Sequence, residues 1–213
     1  MQELLVKATL ETIYMVAAST FFAVVGGLPL GILLVVTEPN HILENSVVHK
    51  ILSVIINITR SIPFIILLVT IIPFTKLLVG TFIGTTAAIV PLSVAAMPFF
   101  ARIVESSLKE VDYGVIEAAL AMGSSPGQII FKVLLPEARA SLTLGITITI
   151  INLIGYSAMA GAIGGGGLGD VAIRYGYHRR DTVVLTATVI ILVGLVQLIQ
   201  FTGDLIARKL NKK

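Results

Sequence analysis

Four stretches of this chain carry no charged residue over a length that spans a membrane. They cover residues 13–36, 77–101, 140–169 and 182–203. A helix needs about 20 apolar residues to cross hydrocarbon, and each stretch meets that length. A fifth apolar stretch, 51–72, contains Arg60. Charged residues make up only 13% of the chain, against about 25% in soluble domains. These features predict an all-α integral membrane protein, one domain over residues 1–213. Its five spans lie at about 13–36, 51–72, 77–101, 140–162 and 182–203, and the glycine-rich end of the fourth stretch forms a loop. The net charge of +3 forms no basic patch, which argues against nucleic-acid binding. The chain has no cysteine, so disulfides, thiolate metal sites and cysteine nucleophiles are excluded.

The N-terminus does not read as a secretory signal. Residues 1–11 carry Glu3, Lys7 and Glu11 and are not positive, and the apolar run that follows is too long for a signal core. It reads as a retained first helix. Five spans put the termini on opposite sides. With the C-terminus inside, the cytoplasmic segments carry Lys50, Arg102, Lys109, Lys132, Arg139, Arg208, Lys209, Lys212 and Lys213. The outer segments then carry Lys7, Lys76, Arg174, Arg179 and Arg180. The positive-inside bias therefore favours N-out and C-in, with Arg179 and Arg180 as the main dissent.

The outer loop holds Gly164-Gly165-Gly166-Gly167-Leu168-Gly169. A phosphate-binding loop ends in Gly-Lys-Ser or Gly-Lys-Thr, and here Asp170 follows. The run reads as a flexible turn or hinge, and no ATP-hydrolysing motif is present.

The longest charged stretch is the predicted cytoplasmic loop, 102–139. Val115, Ile116, Ala119 and Met122 fall near one helical face. Gly123 suits the end of that short helix. Ser125-Pro126 reads as the cap and first turn of another, and Pro136 suits the first turn of the fourth span. A helix merely resting on the membrane surface usually carries many basic residues, whereas 111–131 carries Asp112, Glu117 and no Lys or Arg.

Glu117-Ala118-Ala119, three residues, Gly123, nine residues, then Val133-x-Leu135-Pro136 resembles the Glu-Ala-Ala loop of the permeases of ABC importers. The one departure is Val133, where that family usually has isoleucine. Within the family, five further stretches are similar to the methionine-uptake permeases. They are Arg60-Ser61-Ile62-Pro63-Phe64, Ala88-Ile89-Val90-Pro91-Leu92, Gly155-Tyr156-Ser157-Ala158-Met159, Gly166-Gly167-Leu168-Gly169 and Gln200-Phe201-x-Gly203-Asp204. The resemblance implies a type I ABC-importer permease in the bacterial cytoplasmic membrane, working as a homodimer. It implies a cytoplasmic ATPase dimer that holds ATP and Mg²⁺, no cofactor in this chain, and an external substrate-binding protein. It implies that the loop forms a coupling helix docked on the ATPase, with Val115, Glu117, Ala118, Ala119, Met122, Gly123 and Pro136 as the coupling residues. It also places Tyr156, Ser157 and Met159 along the translocation path, near its outer gate.

Polar residues inside the spans are the remaining candidates. Tyr156, Ser157 and Met159 cluster within about one turn, and an aromatic ring with a thioether makes a soft lining suited to an apolar thioether substrate. Asn152, Ser93 and Asn57 fit either the path or hydrogen bonds between helices. Arg60 in mid-span costs about 2.5–3.5 kcal/mol. It fits either a side chain reaching the inner headgroups or capping a neighbouring helix, or a residue of the inner vestibule beside Ser61 and Pro63. Pro63 and Pro73 are expected to bend this span, and Pro91 and Pro98 the third. Gly27 and Gly31, Gly80 and Gly84, and Gly123 and Gly127 share the spacing of close-packed helices.

Two rival readings stand beside the methionine permease. One is a permease for another amino acid or small anion. The other is a self-powered secondary transporter, which usually places Asp or Glu within its spans, and the four uncharged stretches hold none. An intramembrane enzyme is weaker still. No His-Glu-x-x-His occurs, and His41, His49 and His178 fall in predicted loops.

Overall fold

Proline and glycine decide where the long apolar runs become separate helices. In a computed structural model, which describes residues 1–211, α1 runs from Gln2 to Val36. It begins well before the uncharged stretch, because Glu3, Lys7 and Glu11 are good helix formers, Glu3 and Lys7 being exposed and Glu11 finding a partner on the bundle. The second apolar run is not one helix. Ile62 is extended (φ −79°, ψ 121°) before Pro63, and α2 (Ser46–Ser61) meets α3 (Phe64–Thr70) at 99°. Pro63 lacks the amide hydrogen, and its ring disfavours a helical conformation at Ile62. A second break at Ile71 begins α4, Ile72–Val79.

The third run also departs from its expected bounds. Its first residues belong to α4, and the left-handed Gly80 (φ +81°) and Gly84 (φ +100°) form the turn. α5 then runs from Thr85 to Lys109, through Pro91 and Pro98. The loop expected at 102–139 therefore begins eight residues late. It contains α6 (Tyr113–Ala121), α7 (Pro126–Ile129), a π-helical turn over Ile130–Leu134, and α8 (Leu135–Glu137). α9 (Arg139–Gly161) follows, then α10 (Gly167–Val171), a π-helical turn over Ala172–Tyr177, and α11 (Thr182–Leu210). Among the described residues, four helices are long and apolar enough to cross a membrane, and the bent α2–α3 pair makes a fifth. Lys212 and Lys213, two of the charges counted inside, lie outside the described residues.

α1 and α5 form the centre of the bundle, and glycine sets their distance. A Cβ on Gly27 would lie 2.7 Å from the Met97 carbonyl oxygen, and one on Gly31 2.6 Å from that of Ala101. Without side chains at these two positions the backbones approach until dispersion contacts are continuous. Gly145 meets Ile103 of α5, and Gly203 of α11 meets Thr147 of α9, in the same manner. Gly80 and Gly84, with open space around them, serve the turn instead.

Among the described residues the apolar side chains form four clusters, two of them large. One joins Met15, Phe64, Leu68, Leu92 and Leu153 near the N-terminal end of α1. The other joins Val36, Phe100, Leu108, Ile116, Ile129 and Leu134 at its opposite end and draws in the α6–α8 segment. Outside them, α2, α3, α4 and α11 expose rows of apolar side chains, Ile58, Ile66, Leu77, Ile190 and Phe201 among them. Such surface is costly in water and neutral in hydrocarbon or against another subunit.

Candidate functional site

The first two helices of the segment between α5 and α9 are capped by side chains. The Asp112 carboxylate accepts the Gly114 amide at 2.7 Å to start α6. The helix stops where Gly123 turns left-handed (φ +76°), with the Ser124 amide donating to the Ala119 carbonyl at 3.0 Å. Ser125 and Gln128 then form a reciprocal capping box that begins α7, with Pro126 in its first turn. Pro136 sits in the single turn of α8, ahead of α9 rather than in its first turn.

Packing divides the residues expected on one face of α6. Ile116 and Ala119 are buried against Ile129, Leu134 and Ala138. Val115 and Met122 point outward instead, Met122 at 79% exposure, together with Glu117, Ala118 and Leu120. Phe131 of the π-helical turn is also exposed. The segment thus holds itself to the bundle by one face and presents an apolar face with one carboxylate on the other. Beside it an open cavity of 720 Å³ separates α6 from the C-terminal turns of α11, lined in part by Asp112, Ser141, Asp204 and Arg208.

A charged network fixes the base of this segment. On α5, Glu105 is 7% exposed and lies between Arg102 and Lys109, and Lys109 also reaches Glu38 beyond α1 at 3.0 Å. Arg102 crosses to α2, where its Nη2 donates to the Ser53 hydroxyl at 2.6 Å and to Asn57 Oδ1 at 2.9 Å. Asn57 therefore serves helix pairing. The Tyr113 hydroxyl donates to the Asn40 carbonyl at 2.9 Å, tying α6 to the α1–α2 connection. Burial pushes the His41 imidazole below its ordinary value of 6.5, against the pull of Glu38 and with the help of Lys109. Its neutral Nδ1 accepts the Ile42 amide at 3.0 Å. Sequence reading missed this network, although the 102, 105, 109 spacing puts the three charges on one helical face.

The candidate path residues on α9 separate by helical phase. Asn152, Tyr156 and Met159 follow i, i+4, i+7 spacing and form a stripe, with Met159 48% exposed. Tyr156 stacks flat on Phe64 at the start of α3, ring centres 4.6 Å apart and planes 6° from parallel. Ser157 leaves this group. It is 2% exposed and its hydroxyl donates to the Ile154 carbonyl of its own helix. Ser93 is likewise buried and bonded to Ile89. Arg60 stands exposed in the last turn of α2, where a cation suits the helix dipole, so it interrupts no continuous helix. Ser61 bonds back to the Asn57 carbonyl, and Pro63 makes the bend.

The glycine run is a packed joint rather than a flexible hinge. Gly164, Gly166 and Gly167 adopt positive φ, which suits a residue without Cβ. Glu11 of α1 accepts the Gly167 amide at 2.9 Å, and Thr12 accepts that of Leu168 at 2.9 Å. A Cβ on Gly169 would meet the Ala158 backbone.

Residues 27–213 match the family described as binding-protein-dependent transport system inner membrane component. The probable D-methionine transport system permease protein MetI of Vibrio cholerae is 53% identical over 211 residues, covering 99% of this chain and 94% of that protein. The D-methionine transport system permease protein MetI of Escherichia coli is 56% identical over 161 residues, 76% of this chain and 74% of that one. A chain of the MetNI methionine ABC transporter, crystallised in inward-facing conformations, superposes with a TM-score of 0.98 at 53% identity, covering 100% of this chain and 98% of the other. A chain of an amino acid ABC transporter, 17% identical, shares the fold with a TM-score of 0.74. With its full-length similarity, helical bundle and capped loop, the chain belongs to the inner-membrane components of binding-protein-dependent transport systems.

Proposed function

We propose that two copies of this chain form the translocation unit of an ATP-driven methionine importer, with ATP and Mg²⁺ held by a separate cytoplasmic ATPase dimer. One observation carries the coupling assignment: α6 is locked to the bundle through Ile116 and Ala119 while Val115, Glu117, Leu120 and Met122 face outward. A rigid helix with a free apolar face suits docking in a groove of another protein. Methionine as substrate rests on the relatives, whose names specify D-methionine transport. The termini lie N-out and C-in, which leaves the α6–α8 segment on the ATP side and the glycine joint facing the external binding protein.

In this mechanism ATP draws the two ATPase subunits together, and α6 transmits that movement through Tyr113 and the Arg102–Glu105–Lys109 network to α1, α2 and α5. The bundle passes from inward-open to outward-open and accepts methionine from the binding protein. The Asn152, Tyr156 and Met159 stripe lines the path, where ring and thioether contacts accept the substrate side chain. Hydrolysis resets the bundle. ATP drives this exchange only through a difference in affinity between the two states.

Glu117→Lys and Gly123→Pro test the coupling assignment. Both variants are expected to insert in the membrane normally, to co-purify with less ATPase and to lose uptake. Normal uptake by both would remove α6 as the coupling element.

A further inference from the structure

Arg60 carries a full charge into the middle of the membrane. It lies about 15 Å along α2 from Lys50, which is about half the thickness of the hydrocarbon. That depth puts the inner headgroups beyond its side chain, and hydrocarbon does not hydrate it. The C-terminal dipole of α2 offsets only part of the cost. The side chain is exposed and makes no hydrogen bond or ion pair among the described residues.

No carboxylate of this chain is placed to neutralise it. The stretches 13–36, 51–72, 77–101, 140–169 and 182–203 hold no Asp or Glu. Towards the membrane edges, Glu105 is taken by Arg102 and Lys109, and Glu11 by the Gly167 amide. A second copy of the chain brings another Arg60 and again no carboxylate. Arg60 is thus left to a negative group that enters from outside the chain.

The surroundings of the bend fit a small zwitterion. Phe64 follows Arg60 by four residues, at most about 14 Å of backbone, and it stacks on Tyr156. On the same stripe of α9, the Asn152 amide and the Tyr156 hydroxyl also lack a partner among the described residues. A Cβ on Gly155 would meet no atom within 4 Å, so the stripe has open room beside Tyr156. Membrane carriers repeatedly place substrate sites at broken helices near the midplane, and α2 and α3 are such a pair. A guanidinium, two oxygen acceptors and a thioether complement an α-carboxylate, an α-ammonium and an apolar thioether side chain. An inorganic anion would satisfy the guanidinium and leave the two acceptors unused.

We propose that Arg60 receives the α-carboxylate of the amino-acid substrate half-way along the path, with Asn152 Oδ1 and the Tyr156 hydroxyl accepting its ammonium. The inference deepens the proposed importer function and rests on it.

Methionine uptake by the permease–ATPase complex in proteoliposomes, driven by ATP and fed by the external binding protein, tests the site. Arg60→Met is expected to lower uptake about tenfold or more. Hydrolysis of ATP stimulated by loaded binding protein is expected to continue in this variant, which reports an intact assembly. Arg60→Lys keeps the charge and is expected to retain most of the uptake. The chain has no cysteine, so Arg60→Cys allows charge to be restored after assembly. Aminoethyl methanethiosulfonate adds an ammonium there and is expected to raise uptake. Sulfonatoethyl methanethiosulfonate adds an anion and is expected to leave it low, with wild type treated alike as the control. Wild-type uptake by Arg60→Met would overturn the proposal, as would equal uptake after the two reagents. A parallel loss of uptake and hydrolysis in both Arg60→Met and Arg60→Lys would also overturn it, because it marks a structural cation. Absence of uptake by the wild-type complex would instead remove the importer reading itself.

Discussion

Gly31 shows how one missing side chain sets the architecture. Its hydrogen faces the Ala101 carbonyl and Val104, and no larger residue fits unless α1 and α5 separate. Gly31→Leu is expected to lower the stability of the extracted complex by about 1–3 kcal/mol, read as a lower midpoint of thermal unfolding. Gly127→Ala, where open space surrounds the glycine, is expected to leave it unchanged. Equal midpoints for Gly31→Leu and wild type would mean that the α1–α5 contact has room for a side chain at this position. The sequence showed the Gly27–Gly31 spacing and the same spacing at 80–84 and 123–127. Only the first pair packs helix on helix, because the others need left-handed backbone at Gly80, Gly84 and Gly123. Spacing records periodicity and leaves conformation open. Ser157 and Tyr156 give the same lesson at the candidate path: adjacent on α9, they point about 100° apart, one into the core and one onto Phe64.

At the scale of the element, α5 departs most from its sequence reading. Absence of charge marked 77–101, yet the helix begins at Thr85 and continues through Arg102 and Glu105 to Lys109. Uncharged length locates hydrocarbon, whereas a helix continues wherever its charges find partners. Here the partners are Ser53 and Asn57 of α2 and Glu38 beyond α1, 49, 45 and 71 residues away in sequence. Arg102→Met leaves Glu105 buried with Lys109 alone, and breaking a buried pair from one side costs about 3–5 kcal/mol. Arg102→Met/Glu105→Met is expected to recover part of that loss, since Lys109 keeps Glu38. Chemical unfolding of the four proteins as a double-mutant cycle measures the coupling, and additive effects would show that the network holds nothing together. The capped ends of α6 and α7 were legible because Gly123, Ser125 and Pro126 act on their immediate neighbours. The Glu11 clamp on Gly167 joins residues 156 positions apart, and no local pattern announces it.

At the scale of the molecule, the chain is a set of helices with two large apolar cores and wide apolar flanks, and α6 presents an exposed apolar face beside the second core. That arrangement fits a subunit that converts movement imposed from outside into exchange between two bundle states. The central claim is that transport is powered through α6 by a separate ATPase and fed by an external binding protein. Radiolabelled methionine uptake into proteoliposomes tests it most directly, with this chain and its ATPase reconstituted together. Accumulation is expected only with ATP on the α6 side and binding protein on the other. Accumulation by this chain alone under a proton gradient, with neither ATP nor partner, would contradict the claim.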